Sequence, residues 1–363
     1  MKPFSARALA PGVLFCLSAL LNGCSNPNSG ATGGGAPAPT TSTTTSSSTS
    51  TNSTSSAPTE TSAPKLTMKE PAIPAEAIPS APAKKPYKIG YSLLTRDDEF
   101  YKDLEKGLND EAARQKVELI PNSADKDLNK QINQVQNFIA QKVDAIILCP
   151  VDSQGILSAV MAANNAHIPV FTADIASKGG KVVCHVASDN MQGGRLDGEY
   201  LGKLLNGKGN VAILDLRTVT SVQDRVKGFK EALKAFPGIT IVADEDVDGA
   251  KRENAVPKAI NVLTAHPDIN AIFGINDPVA LGALSALKQL NKSNVIVVGF
   301  DAVPEAQNYI RHQSPLKADA IQWPHVIGAA TVDVVVKTLN GETPPPLIPI
   351  PTSLFTADSV AKQ

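Results

Sequence analysis

The sequence has little excess charge of either sign and no second long apolar run. Its 34 Lys and Arg residues nearly balance 35 Asp and Glu residues, so the formal net charge is −1. That balance gives no indication of a nucleic-acid-binding surface. Beyond the first two dozen residues, no apolar stretch is long enough to cross a bilayer. We therefore expect no nucleic-acid partner and no membrane-spanning domain.

The first 24 residues carry an export signal. Lys2 and Arg7 precede an apolar run over residues 13–21, which is typical of a secretory signal peptide. The run ends in Leu-Asn-Gly-Cys, with the cysteine at Cys24, and this ending resembles the lipobox of bacterial lipoproteins. The resemblance implies that residues 1–23 are removed and that Cys24 is lipidated, which would anchor the exported chain to a membrane of the cell envelope. An ordinary signal peptide with a chance cysteine is the alternative.

Residues 24–86 contain few apolar side chains and are rich in Ser, Thr, Gly, Ala and Pro. Such a segment buries too little surface to offset its chain entropy, so we predict a disordered tether. About 60 flexible residues have an r.m.s. span of roughly 45 Å. A tether of that reach would let a folded domain move above a membrane without leaving it. The Ser/Thr content also permits a glycosylated stalk, and this alternative stays open.

Cysteine is scarce, with four residues in the chain. Cys16 lies in the signal and Cys24 at its end, so Cys149 and Cys184 remain in the folded part. Two cysteines in an exported domain could form a disulfide. Each lies in a different predicted strand, with a third strand expected between them. We therefore predict no disulfide, and the sequence leaves the redox state of the pair open.

From residue 87 onward, short apolar strands alternate with amphipathic helices. The predicted strands are 88–93, 145–149, 169–173, 182–187, 210–214, 239–243, 271–275, 295–300 and 317–321. The predicted helices are 100–115, 130–141, 155–166, 192–205, 221–235, 255–264, 279–290, 303–312 and 324–339. This alternation is typical of α/β folds with buried parallel strands. We predict two lobes, comprising residues 87–189 with 323–347, and residues 190–322 with 348–363.

Polar residues follow many of the predicted strands. In open α/β sheets, ligands bind beyond the carboxyl ends of the strands. The polar residues expected there are Asp97, Asp98, Asp174, Ser188, Asp189, Asn190, Arg225, Asn276, Asp277, Asp301 and Gln322. Carboxylate, amide and guanidinium groups suit neighbouring sugar hydroxyls, which both donate and accept hydrogen bonds. Phe100, and also Tyr101 and Trp323, could cover the apolar face of a sugar ring.

Each of these side chains also has a purely structural interpretation. Asp98 could cap a helix or contact a ligand. Asp277, followed by a proline, is typical of a helix N-cap. Arg225 could be a surface charge, Asn276 a turn residue and Trp323 ordinary packing. The indication of a site comes from their convergence on one edge.

The folded region resembles a known family through several stretches. These are Ile-Pro-Val-Phe-Thr-Ala-Asp at 168–174, Val-Ala-Ser-Asp-Asn at 186–190, Arg-x-x-Gly-Phe at 225–229, Asn-Asp at 276–277 and Val-Val-Gly-Phe-Asp at 297–301. They are similar to those of periplasmic sugar-binding proteins of the ribose/galactose type, the ligand-capture subunits of ABC importers. The resemblance implies two Rossmann-like lobes, with parallel sheets, joined by a three-segment hinge and closing on ligand. LacI-type repressors share this fold, but this chain has an export signal and no DNA-binding head.

The resemblance also implies a set of ligand contacts. They fall on Asp98, Phe100, Tyr101, Asp174, Ser188, Arg225, Asn276, Asp301 and Gln322. It implies a monomer that binds a small sugar and an ABC permease, without a cofactor, metal or catalytic residue. Ile175 and Cys149 stand where ribose binders have Arg and Asn, and no aromatic residue occurs near Ala250. Residues 97–100 look more like glucose/galactose binders, so we expect a hexose, pentose or related polyol.

Two other functional classes were compared with this one. A glycosidase-like enzyme would use the same cleft, but only His325 of the five histidines is expected near it. The sequence has no recognisable nucleophile motif, so we predict that the protein is not an enzyme. The second class is a ligand sensor that presents its closed form to a membrane signalling receptor. The fold permits both transport and signalling.

Overall fold

The computed structural model describes residues 69–361. The predicted signal peptide, the lipidation site at Cys24 and the tether up to residue 68 lie outside the described residues. Within the described range, no helix combines the length and apolarity needed to cross a membrane.

The first half of the described chain alternates strand and helix, with one strand following another at its end. Its elements are β1 (Lys88–Leu93), α1 (Glu99–Gln115), β2 (Glu118–Ser123), α2 (Leu128–Gln141), β3 (Ala145–Leu148), α3 (Leu157–Asn165), β4 (Val170–Ala173) and β5 (Val182–Ser188). Four of these strands join one parallel sheet in the order β5-β4-β3-β1, and β2 extends its edge beside β1.

The second half continues the alternation. Its elements are α4 (Asn190–Leu204), β6 (Lys208–Asp215), α5 (Thr220–Leu233), β7 (Gly238–Asp246), α6 (Arg252–Ala265), β8 (Ile269–Gly274), α7 (Asp277–Gln289), β9 (Ile296–Asp301), α8 (Pro304–Arg311), β10 (Leu316–Ile321), α9 (Pro324–Leu339), β11 (Leu347–Ile350), β12 (Ser353–Thr356) and α10 (Ala357–Ala361). The second sheet has the order β12-β10-β9-β8-β6-β7, and all its pairs are parallel except β10 with β12. The predicted α/β fold with two parallel-dominated sheets is confirmed.

Three short strands were missed by the sequence analysis: β2, β11 and β12. Each lies at or near a sheet edge, where burial is partial and the apolar signal is weak. Pro121 in β2 and Pro349 in β11 further obscure the pattern, although edge strands tolerate proline. The missed strands are therefore those that owe their existence to pairing rather than to local sequence.

The chain passes between the two sheets three times. It crosses between β5 and α4, between β10 and α9, and between β11 and β12. We expected the last boundary at residue 347, and this was wrong. Leu347–Ile350 pair in parallel register with His185–Ser188, so the chain leaves the first sheet only after Ile350.

The segment before β1 also departs from expectation. Residues 69–86, expected to belong to a disordered tether, lie on the first lobe and are called the strap below. Asn340 Nδ2, just beyond α9, donates to the carbonyl oxygens of Ala81 at 3.0 Å and Pro82 at 3.1 Å. Ala77 is completely buried and packs into the core of this lobe. The strap is ordered because polar groups around the end of α9 satisfy its backbone, a long-range effect that composition does not reveal.

Candidate functional site

A cavity of about 390 Å³ lies between the two lobes. Side chains that follow strands of both sheets line it, as expected at the carboxyl ends of parallel strands. Eight of the nine expected ligand contacts are brought together here: Asp98, Phe100, Tyr101, Asp174, Arg225, Asn276, Asp301 and Gln322.

The ninth expected contact, Ser188, is not among the lining residues. It ends β5 opposite Ile350 of the edge strand β11, beside the points where the chain leaves the first sheet. Its Oγ is buried and has no hydrogen-bond partner among the described residues. A residue at the carboxyl end of a strand, such as Ser188, therefore does not always line the cavity.

Arg225 projects from α5 and is anchored from several sides. Its Nη2 and Nε donate to Asn190 Oδ1 at 2.8 and 3.1 Å, and its Nη1 donates to the carbonyl oxygen of Ile275 at 2.6 Å. The guanidinium carbon lies 3.6 Å from the ring centre of Phe300, a cation–π arrangement. The side chain is 4% exposed, so the alternative of a surface charge is wrong.

Close helix packing brings Arg225 to this place. A Cβ on Gly194 of α4 would lie 2.0 Å from the carbonyl oxygen of Arg225, and one on Gly228 of α5 would lie 2.3 Å from that of Met191. Only glycine allows this approach of the two helix backbones. The contact brings Arg225 within reach of Asn190 at the start of α4.

Asp301 ends β9 and faces Arg225, with 3.9 Å between Asp301 Oδ1 and Arg225 Nη1. Gln322 Nε2 donates to Oδ1 at 2.6 Å, and the backbone N–H of Asp277 donates to Oδ2 at 3.3 Å. Burial raises the pKa of Asp301 to about 8, and the nearby Asp277 adds to the effect, while Arg225 opposes it. The carboxyl group is thus held in place by donors but disfavoured as an isolated buried charge.

Asp174 and two aromatic residues form the opposite wall. Tyr101 Oη donates to Asp174 Oδ2 at 2.7 Å, and burial raises the pKa of Asp174 to about 6. The rings of Phe100 and Tyr101 meet edge to face with 5.1 Å between their centres. Trp323, also considered for this role, is not in the lining and packs between the cores of the two lobes. The aromatic surface of the cavity therefore comes from α1.

The structure shows which of three residues cap a helix. Asp98 stands at the N-cap position of α1 but makes no side-chain capping bond, and lies 3.4 Å from Lys126 Nζ. The cap of α7 is Asn276, whose Oδ1 accepts from the backbone N–H of Val279 at 3.1 Å. The expectation that Asp277 is the cap was therefore wrong. Its carboxyl group accepts from the backbone N–H of Val303 at 2.7 Å instead.

Much of the cavity wall was not anticipated from the sequence. It includes a basic residue, Lys126, on the loop after β2, which went unnoticed because β2 was missed. Knowing β2 would have pointed to this loop, since it leaves the carboxyl end of a strand. The other unanticipated wall residues include a charged group, Glu99, Lys251, Arg252, Glu253 and Glu305, and an aliphatic group, Leu94, Ile175, Leu216, Val219, Val222, Ile275, Leu281 and Val303. Aliphatic residues at strand ends give no polar signal.

Direct contacts join the two lobes across the mouth of the cavity. The backbone N–H of Ser153 donates to the carbonyl oxygen of Thr218 at 3.1 Å, and that of Ala176 donates to Thr220 Oγ1 at 3.0 Å. Lys126 Nζ lies 3.2 Å from the carbonyl oxygen of Gly249. Since the first member of each pair belongs to one lobe and the second to the other, the structure has its lobes closed upon each other.

The site offers hydrogen bonds rather than reactive groups. His325, considered for catalysis, lies outside the lining, where its Nε2 is 3.1 Å from Asp110 Oδ2. Among residues 69–361, no group of three or more His, Cys, Asp or Glu side chains is arranged to hold a metal ion. Cys149 and Cys184 are buried free thiols, as expected from the strand between them. The arrangement can fix the orientation of a small polyhydroxylated molecule through both lobes.

Comparison with known proteins agrees with this geometry. Residues 89–343 match the family model described as periplasmic binding protein domain. The ribose import binding protein of Escherichia coli is 34% identical over 281 residues, which is 77% of this chain and 93% of that protein. The ribose import binding protein of Bacillus subtilis is 33% identical, over 75% of this chain and 88% of that protein.

A solved structure is similar across the same region. It is an ABC transporter solute-binding protein from Bacillus halodurans with bound myo-inositol, at a TM-score of 0.71 and 32% identity. The match covers 76% of this chain and 96% of that one. Together with the two closed lobes and the polar cavity between them, these similarities show that the chain belongs to the type I periplasmic binding proteins, in their sugar-binding group.

Proposed function

We propose that this protein captures a small sugar or polyol by closure of its two lobes and delivers it to an ABC importer. The observation that carries the proposal is the convergence of Asp174, Arg225, Asp301 and Gln322 on one buried cavity beside the ring of Phe100. The first of these belongs to one lobe and the next two to the other, while Gln322 lies at a crossing between them. A ligand that bonds to this set would hold the lobes together.

The chemistry of the set favours neutral polyhydroxylated ligands. Carboxylates accept two hydrogen bonds from adjacent hydroxyls, and guanidinium and amide groups donate in the same planar fashion. An aromatic face suits the C–H side of a ring. In this interpretation Asp98, Tyr101 and Asn276 complete the ligand contacts, and no chemical step is involved.

The identity of the ligand is proposed only as a class. Relatives are described as binding ribose, and the similar solved structure holds myo-inositol. Cys149 and Ile175 are buried residues that offer no strong hydrogen bond where ribose binders have Asn and Arg. We therefore propose a hexose, a pentose other than ribose, or a cyclic polyol.

The test is mass spectrometry of ligand released from protein purified without added sugar, followed by calorimetric titration with D-ribose, D-allose, D-galactose and myo-inositol. Recovery and rebinding of one polyhydroxylated compound would support the proposal. Recovery of a ligand that is not polyhydroxylated, or of a chemically changed product, would contradict it. Arg195→Ala is a matched control for variants of the site, because Arg195 lies exposed on α4 of the same lobe.

The alternative is a sensor whose closed form binds a membrane signalling receptor. Both functions need the same closure, so the distinction lies in the partner. Uptake of labelled ligand that is lost on deletion of this protein would favour import. Unchanged uptake with a lost transcriptional response would favour signalling.

Export and anchoring belong to the same proposal. The domain would work outside the cytoplasm as a monomer, held to a membrane of the envelope through a lipid on Cys24. The support is the signal-like start of the chain and its Leu-Asn-Gly-Cys ending.

A further inference from the structure

The turn that follows β9 has an unusual backbone. Asp301 and Ala302 have φ angles of 120° and 56°, a region that residues other than glycine seldom occupy. Such a conformation persists only where the surroundings hold it in place. The same turn supplies Asp301 and Val303 to the cavity, so whatever holds the turn also aims the Asp301 carboxyl group.

Two buried carboxyl groups hold this turn. The backbone N–H of Ala302 donates to Asp319 Oδ1 at 3.0 Å, and that of Val303 donates to Asp277 Oδ2 at 2.7 Å. The backbone N–H of Asp277 in turn contacts Asp301 Oδ2 at 3.3 Å. Residues 301–303 are thus each bonded to one member of this pair.

The two carboxyl groups lie side by side, because they accept from the backbone N–H groups of consecutive residues, Ala302 and Val303. Both side chains are completely buried, and one oxygen of each, Asp277 Oδ1 and Asp319 Oδ2, has no hydrogen-bond donor among the described residues. An ionised carboxylate is an acceptor only, so two carboxyl groups can bond to each other only when a proton lies between them. Burial raises the pKa of both groups well above the usual range, which favours retention of that proton at neutral pH.

The negatively charged groups around Asp277 and Asp319 also raise the pKa values of the two carboxyl groups. Asp301 on β9 and Asp197 on α4 add negative charge near Asp319, and Glu305 on α8 adds it near Asp277. Arg225 on α5 is the nearby cation, and its contacts are with Asn190, Ile275 and Asp301. Among residues 69–361, no cation forms an ion pair with Asp277 or Asp319 to balance a second negative charge.

We infer that Asp277 and Asp319 share one proton and act as positioning residues that hold the Asp301 turn in its ligand-binding geometry. The inference rests on the proposed function, because it assumes that Asp301 contacts the ligand. Loss of the shared proton would place two adjacent carboxylates behind the turn, and their repulsion would release it. Ligand affinity would then fall at alkaline pH.

Asp319 offers the cleaner test, because it lies outside the cavity lining. Asp319→Asn keeps an oxygen for the N–H of Ala302 and supplies an N–H toward Asp277, so it replaces the shared proton. Asp319→Ala removes both contacts. We expect titration with D-ribose, D-allose and myo-inositol at pH 7 to show at least a tenfold loss of affinity in the alanine variant for whichever compound binds. The asparagine variant should stay within about threefold of the unmodified protein and should lose less affinity at pH 9 than that protein does.

A control and a ligand-independent measurement accompany the titration. Arg195→Ala changes an exposed side chain of the same lobe outside the cavity lining, so it should leave affinity unchanged. Infrared spectra at pH 7 should show the C=O band of a protonated carboxylic acid that decreases in Asp319→Asn. The spectra also decide the matter if Asp319→Ala does not fold or if no compound of the panel binds.

Distinct outcomes separate this inference from the proposed function. Normal binding by Asp301→Asn would contradict the role of Asp301 itself. Weak binding by Asp301→Asn together with normal binding by Asp319→Ala would overturn only the positioning role. Equal losses of ligand affinity in Asp319→Asn and Asp319→Ala would show that no shared proton is involved. A carboxylic-acid infrared band that is unchanged in Asp319→Asn would show the same.

Discussion

Single residues in the cavity combine a proposed ligand contact with a buried ionisable group. Asp301 is the clearest case, since Gln322, Arg225 and the backbone of Asp277 surround it and its pKa is raised to about 8 by burial. A residue that serves binding at the expense of stability is common at functional sites. Two predictions follow for the same substitution.

The first prediction is that Asp301→Asn weakens sugar binding by roughly ten- to a hundredfold. Asparagine places an N–H where a carboxyl oxygen can accept, and a buried polar group left without its partner costs about 1–3 kcal/mol. About 1.4 kcal/mol corresponds to a factor of ten in affinity. Isothermal titration with the released ligand is the measurement. Arg195→Ala, a change at an exposed residue outside the lining, should bind normally; equal affinities for all three proteins would refute the role of Asp301.

The second prediction is that Asp301→Asn stabilises the ligand-free protein as pH rises. The unfolded carboxyl group loses its proton near pH 4, whereas the folded one keeps it to about pH 8. Between these values the folded state holds the extra proton, so the free energy of unfolding falls as pH rises. Asparagine removes this loss, and its advantage should reach a few kcal/mol at pH 8. Urea unfolding at pH 5 and pH 8 measures it, and an advantage that did not grow with pH would contradict the burial argument.

The hydrogen bonds around Arg225 determine how its variants are to be interpreted. We expected a side chain that only faces the cleft, so that alanine would leave the fold intact. Its bonds to Asn190 and to the carbonyl oxygen of Ile275 are buried, and alanine would leave both acceptors unsatisfied. Arg225→Ala is therefore a less clean test of binding than Asp301→Asn.

At the scale of elements, the strap is the main departure from the sequence analysis. Asn340, after α9, accepts from the backbone N–H of Lys84 at 3.3 Å and from Tyr87 Oη at 3.2 Å, besides donating to the strap carbonyls. Lys337 Nζ, on the same helix, donates to the carbonyl oxygens of Glu76 and Ile78. The strap is thus fastened to the first lobe.

The third prediction is that Asn340→Ala lowers the free energy of unfolding by about 1–3 kcal/mol, because its side chain makes several hydrogen bonds to the strap and to Tyr87, each worth about 0.5–1.5 kcal/mol net. Ligand affinity should not change, since Asn340 is not part of the cavity lining. Thr338→Ala is the control, because its hydroxyl group bonds only to Val334 within α9. Urea unfolding that gave the same stability for both variants would show that the strap adds nothing.

At the scale of the whole molecule, the two lobes meet through few direct bonds. The contacts of Ser153 with Thr218 and of Ala176 with Thr220 are single hydrogen bonds, each worth about 0.5–1.5 kcal/mol net. Such contacts alone stabilise the closed conformation only weakly. A ligand bonded to both lobes would shift the population by its differential affinity for that state.

The fourth prediction is that saturating ligand decreases the radius of gyration in small-angle scattering. Two samples are compared. The first is protein freed of bound sugar by unfolding and refolding, and the second is the same protein after addition of ligand. Asp301→Asn at a subsaturating ligand concentration should stay closer to the ligand-free profile. Identical profiles with and without bound ligand would argue against closure by hinge motion.

The fifth prediction concerns the anchor. Cys24→Ala should leave the domain folded and ligand-binding but move it from the membrane to the soluble fraction, because no acyl chain can be attached. Fractionation with immunodetection is the measurement, and Cys16→Ala, within the predicted signal, is the control that should remain at the membrane. Retention of the Cys24 variant at the membrane would contradict the lipoprotein interpretation.

The sequence by itself determined the alternation of strands and helices, the α/β class and the strand ends at which ligand groups gather. These features depend on local periodicity and on a general rule for parallel sheets, so residues such as Asp174, Arg225 and Asp301 could be named in advance. Edge strands, the exclusion of Ser188 and the packing of the strap depend on partners far away in the chain. So does the position of the Asp277 and Asp319 carboxyl groups behind the Asp301 turn. Only the tertiary structure decided these, because hydrogen-bond pairing and burial arise when distant segments meet.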